Sequence, residues 1–148
     1  EIIVSLVGSE MCIRDSSEAA AFLEHNFAPP TLRRNIGILG ALHKRVLGKS
    51  HPMMEKLLPF WIDRFGPARA GKHSKQLYGS FLEVQAQYQL YQRSIFGMCC
   101  TYNNLAQHVV DVPTVSEFQT LLTKDVRSRC EAGHANWMYS FDLRGRRG

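Results

Sequence analysis

From residue 17 onward the apolar positions fall on helical spacing. Ser16 or Ser17 is placed to cap a short segment running from Glu18 to about His25, with Ala19, Phe22 and Leu23 on one side. Pro29-Pro30 stops that segment, and Thr31 is placed to cap a longer helix, TLRRNIGILGALHKRVLG, closed by Gly48. On a helical wheel Leu32, Ile36, Leu39, Leu42, Val46 and Leu47 share an arc of roughly 140°. Arg33, Arg34, Lys44 and Arg45 share a separate arc of about 120°. Gly37 and Gly40 lie beside the basic arc, where another backbone can come close. Each glycine costs about 1 kcal/mol of helix propensity, so burial of the apolar arc must hold the helix together.

The pattern continues in shorter pieces. His51 to Leu58 reads as one or two helical turns with Pro52 at the first position, ended by Pro59. Phe60, Trp61, Ile62 and Phe65 form an apolar knot, followed by the polar, basic loop GPARAGKHSKQLYG. Helical spacing resumes from about Leu90 to Tyr102, whereas Tyr78 to Tyr88 fits helix and strand equally. Asn103-Asn104 breaks the helix, and Val109 to Pro113 reads as extended because of its β-branched residues. Thr114 and Glu117 form a capping box for a helix running to about Cys130 and ending by Gly133. Val115, Phe118, Leu121, Leu122 and Val126 lie near one face of that helix. Trp137, Met138 and Phe141 are core candidates ahead of a basic tail carrying Arg144, Arg146 and Arg147. The fold class predicted is mainly α, a small irregular helical bundle with extended loops.

Composition adds little to the fold and something to the partner. Of 148 residues, 45% are hydrophobic and 21% charged, the balance of an ordinary globular domain. No apolar run approaches the roughly 18 residues of a membrane span, so no membrane partner is expected. Eighteen Lys and Arg oppose 13 Asp and Glu, a formal +5 that favours polyanionic partners. Four cysteines, two of them adjacent (Cys99, Cys100), do not resemble a disulfide framework and suit a reducing intracellular compartment, nucleus or cytoplasm.

Three candidate chemistries fall short. Gly66 to His73 nearly matches the phosphate-cradling G-x-x-x-x-G-K-[ST], but His73 cannot supply the hydroxyl that Mg²⁺ requires. Cys130 and His134 have the spacing of half a zinc site, and adjacent Cys99-Cys100 cannot form the other half. The carboxylates are scattered singly, and no Cys–His pair is singled out as nucleophile and base. The chain is therefore expected to hold no catalytic site, metal or cofactor of its own.

RSIFGMCCTYNNLAQHVVDVPTVSEFQTLLTK resembles the C-terminal region of non-LTR (LINE-like) retrotransposon reverse transcriptases. That family's pattern there is "YN-x-LP", then "VV-D-A-P-S/T-V-x-x-F", matched by Tyr102, Asn103, Leu105, Val109, Val110, Asp111, Pro113, Thr114, Val115 and Phe118. LRRNIGILGALHKRVLG and HSKQL are similar to the family's segment just beyond the polymerase core. Together these cover most of residues 31–137. Ala106 in place of proline and Val112 in place of a small residue depart from the pattern, as in a decayed copy. The resemblance implies a parent RNA-directed DNA polymerase using Mg²⁺. The aromatic-x-Asp-Asp segment of such a polymerase is absent from this chain. Residues 1–16, beginning at Glu1 rather than Met, are similar to the translation of a sequencing adapter and are expected to be a non-native leader. Residues 17–148 are expected to be the family-like helical region of a larger protein.

Two functions follow as expectations. In the first, Arg33, Arg34, Lys44 and Arg45 lie along an RNA or DNA backbone, with Arg69, Lys72 and Lys75 and the tail arginines adding charge. In the second, the apolar faces dock on the missing polymerase core, and the chain is a packing or interaction module without nucleic-acid binding.

Overall fold

The computed structural model describes residues 18–66, 72–78 and 94–142. It is mainly helical, as the spacing predicts. The helices are α1 (residues 18–25), α2 (Pro30–Val46), α3 (Pro52–Leu57), α4 (Trp61–Phe65), α5 (Ile95–Asn103), α6 (Gln107–Val110) and α7 (Val115–Glu131), followed by a 3-10 turn at Trp137–Tyr139. The β-structure among the described residues is a single antiparallel bridge between Phe60 and Leu77. No described helix is long and apolar enough to cross a membrane.

The long helix α2 starts two residues earlier than its sequence suggests. Pro29 takes the cap position and Pro30 the first helical one, so Thr31 lies inside the first turn and makes no capping bond. Proline is suited there, since its fixed φ matches the helix and it has no N–H to leave unpaired. The other end closes as read. Gly48 adopts φ 75°, Gly48 N–H donates to Arg45 O at 3.0 Å, and Lys49 N–H donates to Lys44 O at 3.1 Å. Those two bonds are the Schellman stop, which needs a residue tolerant of positive φ.

Helix α2 packs between α7 and α5. Its Leu32, Leu39 and Leu42 are fully buried, against Phe118, Leu122 and Val126 of α7 and Met98, Cys99 and Tyr102 of α5 in one apolar cluster. Each such large side chain contributes about 1.5–3 kcal/mol through burial. Gly40 explains the close α2–α7 contact: a Cβ there would collide with Gln119 Nε2, which donates to Ile36 O at 3.3 Å. Gly37, by contrast, has open space where a Cβ would go. Phe22 of α1 stacks on Trp137 with ring centroids 5.3 Å apart, tying the two ends of the described chain together.

Helix α7 begins with Thr114 Oγ1 accepting from Glu117 N–H at 3.1 Å, as the capping signature predicts. It ends in a second Schellman stop at Gly133 (φ 81°), where His134 N–H donates to Arg129 O. Val109 and Val110 correct the first part of the expectation of extended chain over 109–113. Gln107–Val110 form a helical turn in which Gln107 Nε2 donates to Asp111 Oδ1 at 2.8 Å, and Val110 points into the core. A side-chain bond across one turn and the burial of Val110 outweigh β-branched propensity. Helix α5 is capped by Ser94. Its expected beginning at Leu90, the Tyr78–Tyr88 ambiguity beyond Tyr78, the leader 1–16 and the tail arginines lie outside the described residues.

Candidate nucleic-acid interface

The basic arc of α2 survives as three residues, not four. Arg33, Arg34 and Lys44 are exposed, and none has an acidic partner among the described residues. Arg33 and Lys44 project within about 20° of each other on the wheel and stand about 16 Å apart along the axis. Exposed Gly37 and Ala41 lie on one side of the line between them, and buried Gly40, covered by Gln119 of α7, lies on the other. The first turn of α2 carries no acidic side chain, so Arg33 and Arg34 follow an N-terminal helix dipole of their own sign. An anion bound there would relieve that repulsion.

Arg45 is a correction. Only 6% exposed, it donates from Nε to Leu58 O at 2.9 Å, and its guanidinium carbon lies 4.5 Å from the centroid of the Phe60 ring. It stands at the edge of the basic arc, where the chain leading from α3 to α4 folds over it. Its charge fastens that chain and is not presented to a ligand.

The remaining predicted cations divide. Arg69 lies outside the described residues. Lys72 Nζ donates to Asn104 Oδ1. Lys75 is half-buried, its Nζ 3.2 Å from Val110 O and 3.3 Å from Asp111 Oδ1. Both lysines therefore help to anchor segment 72–78 on α5 and α6, alongside the paired bonds between Leu77 and Asn103 and between Ser74 and Gln107.

Sequence reasoning passed over a buried polar hub. His43 of α2 lies flat against Phe118, ring centroids 4.3 Å apart. His43 Nε2 is 2.9 Å from Val112 O, a carbonyl that only accepts, so Nε2 carries the proton and Nδ1 accepts the Tyr102 hydroxyl at 3.0 Å. His73 meets the same tyrosine from the other side: Nε2–H donates to Tyr102 O at 2.8 Å, and Nδ1 accepts Lys75 N–H at 3.1 Å. Burial pushes both imidazoles below their ordinary pKa, so both are neutral at neutral pH. Burial likewise pushes the Tyr102 hydroxyl up. A signal was present in α2, where His43 follows Leu39 by four residues and so shares the buried stripe.

The ring nitrogens of the hub are matched to one another's partners. The Cys99 thiol is pushed up to about 12, chiefly by burial and then by the neighbouring Cys100. No thiolate is available there at neutral pH. Among the described residues no three His, Cys, Asp or Glu side chains gather as a metal site. Cys130 lies in the last turn of α7 and His134 just beyond the stop at Gly133. A cavity of about 550 Å³ beside that stop is walled by Arg129, His134, Asn136, Trp137 and Tyr139. Its guanidinium is engaged by Asp125 at 3.2 Å.

Comparison of the chain with protein-family models, with curated proteins and with solved structures finds no match.

Proposed function

We propose that this chain is a non-catalytic helical module that binds RNA or DNA through the exposed cations of α2. The observation that carries the reading is the placement of Arg33, Arg34 and Lys44 on one solvent-facing side of a packed helix, without acidic partners among the described residues. A solvated ion pair loses little when broken, but an unpaired cation has only counterions to release, which is the source of polyanion affinity. Lys72 and Lys75 are engaged in anchoring segment 72–78, and Arg69 remains a candidate by sequence alone. Contacts of this type grip the phosphate backbone without reading base sequence. By the resemblance noted in the sequence, such a module would follow the polymerase core of a retrotransposon reverse transcriptase, and the cysteine pattern suits the nucleus or cytoplasm. The Mg²⁺ chemistry belongs to that core. Fluorescence anisotropy with labelled RNA and DNA at low salt is the test: binding by the wild type supports the reading, and no binding to either ends it.

A second reading has its own observation. Helices α3 and α4 bury none of their residues, yet Met53, Ile62 and Phe65 are each about half exposed. Exposed apolar side chains of this kind suit docking on a larger protein. Binding of a hydrophobic dye that disappears in Ile62→Ser/Phe65→Ser supports it, and absence of dye binding by the wild type removes it.

A further inference from the structure

At 62% exposure, Phe27 shows more of its surface than any other described large hydrophobic side chain that stands exposed. Single exposed phenylalanines are common; the manner in which this one is held is not. The turn carrying it is clamped from α7 by Arg127, whose Nη1 donates to Leu23 O at 2.8 Å and whose Nη2 donates to Asn26 Oδ1 at 2.9 Å and to Phe22 O at 3.3 Å. Asn26 takes φ 54°, in the left-handed region that asparagine tolerates, and reverses the chain. Phe27 N–H then returns to Ala21 O at 3.1 Å. Pro29 and Pro30 stiffen the other side. The phenyl ring therefore stands out from a fastened turn, its position paid for before any ligand arrives.

Its neighbours specify what it suits. The guanidinium carbon of Arg33 lies 5.1 Å from the Phe27 ring centroid. Arg34 follows, oriented by Nη2 and Nε donating to Asn35 Oδ1 at 3.0 and 3.4 Å. The acidic group next in sequence, Glu24, faces His25 at 4.0 Å. An exposed aromatic ring with one guanidinium against it and a second on the next residue matches a strand with its base unpaired, the ring taking the base and the cations its phosphates. A duplex keeps its bases stacked inside and offers this ring nothing.

We propose that Phe27 is a stacking platform for an unpaired nucleobase, with Arg33 and Arg34 holding the adjoining phosphates, so that this face selects single-stranded RNA or DNA over duplex. The proposal rests on the nucleic-acid reading of α2 and names its substrate class.

The test uses the full chain, a labelled single strand of about 12 nucleotides (oligo-dT and oligo-U) and a duplex of the same length. Phe27→Ala should weaken single-strand binding by about 5- to 150-fold, leave duplex binding unchanged and leave the thermal midpoint unchanged. Phe27→Trp should restore single-strand affinity, and its added fluorescence should be quenched by the oligonucleotide. Arg33→Gln/Arg34→Gln should weaken both ligands. If Phe27→Ala binds the single strand as the wild type does, or weakens single strand and duplex equally, stacking is refuted while the α2 cations stand. Should the wild type bind neither oligonucleotide, the nucleic-acid reading itself fails and this proposal with it.

Discussion

Acid should unlatch this fold, because two buried imidazoles sit on either side of one tyrosine with every ring nitrogen committed. His73 is the stricter of the two. Its Nδ1 faces the Lys75 amide, which can only donate, so a second ring proton must break that bond. His43 has more room, since the Tyr102 hydroxyl can turn to accept a proton from Nδ1. Around His73 the charged groups are Lys72 and Lys75, which oppose protonation, and Asp111, which favours it; Lys75 also opposes protonation of His43. Burial outweighs all of these and lowers both pKa values. The sign follows from proton counting. Above pH about 6.5 folded and unfolded chains both hold neutral imidazoles, and the stability is fully present. As pH falls below that, the unfolded chain takes up protons that the folded one refuses, and stability declines towards the lowered folded values. Each histidine contributes a slope of up to about 1.4 kcal/mol per pH unit, and the pair up to about 2.7. Urea unfolding at pH 7.5, 6.5, 5.5 and 5.0 measures it directly. His73→Gln should cut the slope to about half. Stability that stays flat, or rises, between pH 7.5 and 5.0 would refute the neutral, tautomer-locked hub.

Other expected outcomes are separate from the hub. Gly37→Ala should stabilise the protein by up to about 1 kcal/mol in urea unfolding, because helix propensity improves and nothing stands in the way. Gly40→Ala gains the same propensity but displaces Gln119 from Ile36 O and crowds Val115, so it should fall about 1 kcal/mol or more below Gly37→Ala. Arg45→Met should cost about 1–3 kcal/mol by removing the charged donor to Leu58 O, with no loss of nucleic-acid affinity measured by anisotropy. Cys99 should resist alkylation in the native protein at pH 7.5 and react once urea unfolds it, as mass mapping of labelled peptides will show.

The parts legible in the sequence are those written in short-range pattern. The apolar stripe of α2, the Thr114 cap and the glycine stops at Gly48 and Gly133 are each decided by residues within one or two turns. The hub is not of that kind. His43 finds its partners 59 and 69 residues away, and an imidazole whose nitrogens are both bonded packs like an apolar ring. Arg45 borders the basic face on the wheel, and the Leu58 carbonyl that recruits it comes from the end of α3. Phe27 carries no periodic signal at all, and its prominence depends on Arg127, reached across 101 residues at Asn26. Tertiary partners decided these positions, as they commonly do where polar groups enter a core.

The salt dependence of binding bears most directly on the claim that α2 grips a polyanion with Arg33, Arg34 and Lys44. Measured as log K against log salt on one oligonucleotide, Arg33→Gln/Arg34→Gln/Lys44→Gln should reduce the magnitude of the wild-type slope by about 2–3, close to one phosphate for each cation removed. A variant that keeps the wild-type slope and affinity would contradict the account.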